Sequence, residues 1–444
     1  MRCLGLTGTS DTIVALATPP GVSAIAVVRV SGAAVKAVCE AVLPGFKMKP
    51  RVASLVNHLL AIYFPAPNSY TGEDVLELFP HGNPFIIRTL IKEICKVPSV
   101  RLANKGEFTQ RAFLNGKMDL TQAEAVGDIL RASNSKSLSN AHRLLSGEVS
   151  SEIRELAERV KEVSALFELE VDFAEDNCLD QNYQPAAVQS LRLVSQNLQN
   201  LQKRFRGLQD ELPRVALFGA PNAGKSSLIN ALVREDRLLV SEVPGTTRDF
   251  VEVPLHLPSG DILLIDTAGL ASEAQNKIDE QAMQKSKEVL EKANLKMLVA
   301  DASSPLPQEF GEWVKSADLV VGTHIDVLIE NGELRMENNS QFSYKVASPK
   351  NEGIKELIEA LDNIFFPKEE ENEEAWIVSE RQIACIKKAE ECVLRALELQ
   401  KQAGAIELAA FEMREARGAL CSITGEISDE NILDTIFSSY CIGK

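Results

Sequence analysis

The sequence predicts a multidomain protein that combines α+β and α/β folds: an N-terminal α+β domain, a discontinuous helical domain, and an α/β domain with a mostly parallel sheet inserted into the helical one. Three observations predict it. Residues 11–118 mix short β-branched runs, Ile25–Val30 and Val75–Phe79, with turns such as Pro19-Pro20-Gly21 and His81-Gly82-Asn83. From 119 to about 210, helix formers dominate and apolar residues return every three or four positions through Leu156, Val160, Val163, Leu166 and Phe167. Only Pro185 interrupts that pattern. After Leu212-Pro213, apolar strands at Val215–Phe218, Ile262–Ile265, Leu295–Ala300 and Leu319–Val321 alternate with helical segments such as Leu228–Leu232.

The acidic run Lys368–Glu374 reads as a solvated linker or helix start, and Ala375–Leu433 is expected to be helical again. The resulting division is 1–118, then 119–210 as the first helical half, 211–370 as the inserted domain, and 371–444 as the second helical half. A chain of 444 residues suits two or three domains at about 150 residues each. Apolar content of 45% with 25% charged residues fits a soluble globular protein. No apolar run approaches the ~18 residues of a membrane span, so no membrane association is expected. Asp11 breaks any signal-peptide layout before Thr12–Ala17, which leaves the cytoplasm as the expected location.

Cys3, Cys39, Cys95, Cys178, Cys385, Cys392, Cys421 and Cys441 form no C-x-x-C pair. Most read as small buried apolar residues, and Cys441 is the exception. The net charge of −16 argues against this chain being the main surface for any RNA; a partner would carry much of that grip.

Gly219-x-x-x-x-Gly224-Lys225-Ser226 follows an expected strand and opens an expected helix, the context a P-loop requires. Its glycines let backbone amides curl around phosphate, and the helix N-terminus adds partial positive charge. Asn222, Ala223, Gly224, Lys225, Ser226 and Ser227 are the expected phosphate contacts, with Lys225 on the β- and γ-phosphates and Ser226 on Mg2+. Asp266-Thr267-Ala268-Gly269 follows the strand Ile262–Ile265, where Asp266 can hold the magnesium shell and the Gly269 amide can sense the γ-phosphate. Between the two motifs, Pro244-Gly245-Thr246-Thr247-Arg248-Asp249 offers Thr247 to complete the Mg2+ coordination. Three motifs in this order point to a nucleoside triphosphate, with GTP the best reading. Guanine is usually read by Asn-Lys-x-Asp after a strand; here that place reads Thr323-His324-Ile325-Asp326, which keeps the carboxylate and lacks the lysine stem. Ala347-Ser348-Pro349 only approximates the closing Ser-Ala-Lys loop.

With Asp11–Gly21, Tyr70–Leu78, Gly106–Asp119 and the terminal Cys441-Ile442-Gly443-Lys444, the chain resembles the MnmE (TrmE) family of tRNA-modification GTPases from Asp11 to Lys444. The resemblance implies an N-terminal domain that dimerises and binds 5-formyl- or methylene-tetrahydrofolate, together with an inserted P-loop GTPase domain. It also implies a heterotetramer with an FAD-binding partner, GidA (MnmG), which holds most of the tRNA. Together the two would install a carboxymethylaminomethyl or aminomethyl group at C5 of the wobble uridine (U34). Carried over by position, the folate site uses Arg29, Glu77, Lys117 and Lys444, and Cys441 is a functional thiol in a flexible tail. Arg29 and the lysines suit a glutamate tail, and Glu77 suits a pterin-like amide edge. Taken singly, Arg29 or Glu77 also reads as a paired surface charge. The family's His-Gly-Gly appears here as His81-Gly82-Asn83.

The resemblance further implies a potassium ion in place of an arginine finger, supplying positive charge in the transition state. Asn222 would ligate K+, covered by the loop Ser241-Glu242-Val243-Pro244-Gly245-Thr246-Thr247, chiefly through Ser241, Val243 and Thr246. Arg248 is the rival finger. Asn276 stands where the family places a water-orienting glutamate, with Glu273 and Gln275 as alternatives, so hydrolysis is expected to be slow or to depend on a different residue. Two other readings compete: a regulatory G-protein switch without one-carbon chemistry, and a folate-dependent transferase that the nucleotide domain merely regulates.

Overall fold

The computed structural model describes residues 11–172, 183–207, 212–235, 251–267, 288–307, 309–325, 329–330, 333–334, 342–367, 375–402, 405–427 and 430–443. The chain forms two compact units: Met1–Arg131, Ser139–Leu208 and Ala375–Lys444 make the first, and Ala132–Leu138 with Gln209–Glu374 make the second.

The first unit opens with β1 (Thr12–Leu16), in which four consecutive residues are buried, the mark of a strand covered on both faces. β2 (Val28–Ser31), α1 (Val35–Val42), β3 (Ser54–Val56), β4 (Leu59–Phe64), β5 (Val75–Phe79), α2 (Pro84–Ile94) and β6 (Val100–Leu102) follow. The strands pair in the order β3-β4-β5-β2-β1-β6, antiparallel except for β1 with β6. Val35, Val38, Ile87 and Ile94 from the two helices pack with Val28, Val30, Leu76 and Leu78 of the sheet. The second strand begins at Val28 rather than at Ile25, which is exposed.

The loop before α2 divides two roles between adjacent residues. A Cβ on Gly82 would lie 1.9 Å from Ser23 Oγ, so this position requires glycine. Asn83 instead caps the helix: its side-chain oxygen accepts from the Phe85 and Ile86 amides at 2.8 and 3.3 Å, and Pro84 opens the first turn.

α3 (Glu107–Leu114) is tied to the sheet by ions. The buried Arg111 guanidinium donates to Glu107 Oε1 and Asp11 Oδ1 at 2.9 Å each and reaches Glu73 at 3.2 Å. Arg101 joins Glu107 and Asp11 at 2.6 Å each. Ser31 donates to Glu73 Oε2 at 2.7 Å, which fixes the loop carrying Tyr70 and Thr71.

α4 (Leu120–Arg131), α5 (Ser135–Ser146), α6 (Glu148–Asp172) and α7 (Tyr183–Arg204) follow. Pro185 falls in the first turn of α7, where its missing N–H has no helical acceptor to lose. The chain then runs through β7 (Phe205–Gly207) into the second unit.

That unit contains β8 (Arg214–Phe218), α8 (Lys225–Glu235), β9 (Val251–Leu257), β10 (Gly260–Asp266), β11 (Leu295–Asp301), α9 (Phe310–Ser316), β12 (Leu319–Thr323), the short pair β13 (Ile329–Glu330) and β14 (Glu333–Leu334), β15 (Tyr344–Lys345) and α10 (Ile354–Phe365). Its main sheet has the order β15-β12-β11-β8-β10-β9 and is parallel except for β9, as the strand–helix alternation predicts. Val215, Leu217, Leu264 and Val299 form its core with Leu228, Leu232, Leu357 and Leu361 of α8 and α10.

The chain returns to the first unit through β16 (Trp376–Val378), α11 (Glu380–Leu399), α12 (Ile406–Thr424) and α13 (Glu430–Ser438). Here the expected uniform helix is corrected. Trp376–Val378 and Phe205–Gly207 are strands, paired in parallel with Phe205 opposite Trp376. The Asn140 side chain bonds the Ile377 backbone twice, N–H to Oδ1 at 2.9 Å and Nδ2 to the carbonyl at 2.7 Å, so β16 has a partner on both sides. Aromatic and β-branched residues suit that short, buried ladder. Ser379 and Gln382 then form a capping box that starts α11. α6, α7, α11 and α12 share one apolar core, including Val160, Phe167, Leu191, Leu198, Ile386, Val393, Met413 and Leu420. The acidic run 368–374 lies outside the described residues. No helix among the described residues is long and apolar enough to cross a membrane.

Candidate functional site

The phosphate loop connects β8 to α8 at the carboxyl edge of the parallel sheet, where open α/β sheets bind ligands. Its backbone requires glycine at both ends. Gly219 has φ +148°, and a Cβ there would lie 2.0 Å from the Val299 carbonyl oxygen. Gly224 has φ +85° and packs against Thr323. Asn222, between them, is exposed with φ +64°, a conformation asparagine tolerates better than most residues. Ala223 is buried, and Ser227 is exposed in the first turn of α8.

Lys225 is buried at the start of α8, and its ammonium donates to the carbonyls of Ala220 at 2.9 Å and Gly219 at 3.2 Å. Burial pushes the ammonium below the ordinary lysine range, and the Asp266 carboxylate opposes that shift. A cation held this way is desolvated and aimed into the loop. Ser226 donates to Asp266 Oδ2 at 2.7 Å, so a hydroxyl and a carboxylate meet beside the loop. These are hard oxygen donors, the kind Mg2+ takes alongside nucleotide phosphates. Thr267 is turned inward: its amide and hydroxyl both donate to the Leu217 carbonyl, at 3.2 and 2.7 Å, tying β10 to β8.

At the ends of β11 and β12, Thr323 is buried and its hydroxyl donates to the Ala223 carbonyl at 2.7 Å, with the Ala300 carbonyl at 3.2 Å. His324 follows with φ +59°, and its Nδ1 lies 3.2 Å from Asp301 Oδ2. Asp301 was not anticipated from the sequence. Burial works to raise its carboxyl, but hydrogen bonds from the Ser303 amide and hydroxyl, His324 and Ser304 hold it below the usual range. The strand-end Asp-Ala-Ser-Ser sequence was the available signal for such a turn. Ala347 is buried, and Ser348 and Pro349 open a 3-10 turn packed against α8. Ser241, Glu242, Val243, Pro244, Gly245, Thr246, Thr247, Arg248, Ala268, Gly269, Asn276 and Asp326 lie outside the described residues.

A second cluster lies in the first unit. Arg29 on β2 and Glu77 on β5 face each other in register and form an ion pair, Nη2 to Oε1 at 2.8 Å. The guanidinium carbon stands 5.7 and 5.8 Å from the ring centres of Tyr70 and Phe108, and Nη1 donates to the Gly443 carbonyl at 3.4 Å. The C-terminal segment is docked here, not free as expected. A Cβ on Gly443 would lie 2.3 Å from the Leu16 carbonyl oxygen, Ile442 bridges to Lys105, and the Gly106 amide donates to the Cys441 carbonyl at 3.4 Å. The Cys441 residue itself is exposed. Lys117 donates to the Pro67 carbonyl at 3.0 Å and lies against Gly72. Lys444 lies outside the described residues. Among the described residues, no group of three or more His, Cys, Asp or Glu side chains could hold a metal.

Residues 12–117 match the family model described as the GTP-binding protein TrmE N-terminus, and residues 120–441 match that of the MnmE helical domain. The chain belongs to the MnmE family of tRNA modification GTPases. Its relatives agree over nearly the whole length. The tRNA modification GTPase MnmE of Aquifex aeolicus is 36% identical, covering 98% of this chain and 100% of the relative. The MnmE of Nitrosomonas eutropha is also 36% identical, covering 98% and 99%, and that of Thermotoga maritima 33%, covering 98% and 100%. Among solved structures, the G domain of FeoB from Methanococcus jannaschii is 21% identical at a TM-score of 0.27, covering 34% of this chain and 96% of that one.

Proposed function

We propose that this MnmE-family chain hydrolyses GTP and, with an FAD-dependent partner, adds a carboxymethylaminomethyl or aminomethyl group at C5 of the wobble uridine of certain tRNAs. The observation that carries the GTPase part is the Lys225–Ser226–Asp266 constellation at the start of α8. A desolvated ammonium, a helix N-terminus and a hydroxyl–carboxylate pair converge on one glycine-bounded loop. Ser226 and Asp266, with Thr247, would hold Mg2+, which neutralises charge between the β- and γ-phosphate oxygens. Asn222, exposed on the loop, is the candidate K+ ligand, covered by Ser241, Val243 and Thr246.

For the one-carbon part, the reading places 5-formyl- or methylene-tetrahydrofolate beside Arg29, Glu77, Lys117 and Lys444, with Cys441 nearby. The docking of Gly443 on Arg29 supports it, because it brings the C-terminal segment to the Arg29–Glu77 pair. The same reading has the chain cytoplasmic and dimeric through residues 1–118, with 119–210 and 371–444 as one helical domain and 211–370 as the G domain. It forms a heterotetramer with the GidA (MnmG) partner, which holds most of the tRNA.

GTP turnover compared in potassium and sodium buffer, with and without the FAD partner, tests the reading. Faster turnover in potassium is expected, and a Lys225→Ala variant should lose most of it. Equal rates in both salts would overturn the potassium assignment. Absence of folate binding by both the wild type and Lys117→Ala would favour the regulatory switch.

A further inference from the structure

Thr323 ends β12 directly opposite Asp301 at the end of β11, on the carboxyl edge where the phosphate loop also opens. On the guanine reading of Thr323–Asp326, it stands on the base side of a nucleotide whose phosphates lie in the loop. A hydroxyl has one proton to donate. Both partners of Thr323 Oγ1 are carbonyl oxygens, Ala223 at 2.7 Å and Ala300 at 3.2 Å, so its proton is committed within the protein. What remains on that oxygen are lone pairs, and purine N7 is itself an acceptor. The next residue offers no substitute on the side facing β11, since His324 Nδ1 is directed at the saturated Asp301 carboxylate.

We infer that Thr323 is a latch on the phosphate loop, and that it gives the N7 edge of the bound purine no donor. This rests on the reading that the second unit binds a guanine nucleotide. Thr323 holds the Ala223 carbonyl, and through it the start of α8.

The test compares GDP with 7-deaza-GDP, in which N7 is replaced by C–H, by calorimetric titration of the full chain. Wild type and Thr323→Val are expected to show the same ratio of the two affinities, within about twofold. Thr323→Asn adds amide N–H donors, and it should come to prefer GDP by about two- to tenfold, the range of one neutral hydrogen bond. Thr323→Val removes the latch and should weaken both ligands alike, leaving their ratio unchanged. A wild-type deficit of about tenfold for 7-deaza-GDP that disappears in Thr323→Val would overturn the inference while leaving the guanine-nucleotide reading intact. A changed ratio in Thr323→Val, or none in Thr323→Asn, would also overturn it. No binding of either ligand to wild type would remove the nucleotide reading and this inference together.

Discussion

Glu107 shows how much one buried carboxylate can organise. It accepts from Arg101 and Arg111 together, and Asp11 bridges the same two guanidinium groups from β1's leading edge. Burial works to raise both carboxyls, but the hydrogen bonds and charges of the arginines prevail and hold them below their ordinary range. The sign of the linkage follows. Groups with depressed folded pKa values contribute stability that is fully present above the ordinary carboxylate pKa of about 4, and it is lost as pH falls through the folded values. Glu107→Gln should destabilise the first unit by about 2 kcal/mol at neutral pH. It should also flatten the acid limb of an unfolding-midpoint-versus-pH curve, and an unchanged acid limb would count against the assignment. Little of this was legible in the sequence. Glycine and lysine spacing exposes a phosphate loop because its geometry is local, whereas Arg29 meets Glu77, and Thr323 meets Ala223, only after distant strands have paired.

At the scale of elements, α2 is the clearest case of a local departure with a physical reason. Asn83 stands where the resemblance leads one to expect a second glycine, and it caps the helix. Asn83→Ala should therefore lower stability by about 1 kcal/mol, while Asn83→Gly should cost only a few tenths. Chemical denaturation of the two variants checks this, and equal losses would argue against the cap. β7 and β16 illustrate the opposite case. Three-residue strands are too short to show a periodicity, and their pairing joins positions on either side of Gln209–Glu374, so helix-forming neighbours masked them. Four of the six strands of the inserted sheet were readable because each is a mostly apolar run, as parallel strands buried on both faces are, whereas the antiparallel β9 mixes polar residues into its run and β15 is only two residues long.

At the scale of the molecule, each unit has an apolar core of its own. The ends left by removing Gln209–Glu374 lie close together, because Phe205 and Trp376 are direct partners. From strand rise and spacing, the gap from Gly207 to Trp376 is about 8 Å, within reach of four glycines. A chain with that replacement should keep a cooperative thermal transition and the helical circular dichroism of the first unit. A product lacking a cooperative transition would show that the two cores depend on each other.

The parallel pairing of β7 with β16 also has a consequence for biosynthesis. α6 and α7 leave the ribosome well before α11 and α12, the helices that complete their core, because the whole of Gln209–Glu374 is translated in between. The inserted unit, whose sheet is contiguous in sequence, can therefore close while the surrounding bundle is still half made. During that interval the apolar faces of α6 and α7 await partners not yet synthesised. The nascent chain is thus most exposed to chaperones and proteases in the helical layer, not in the nucleotide-binding one.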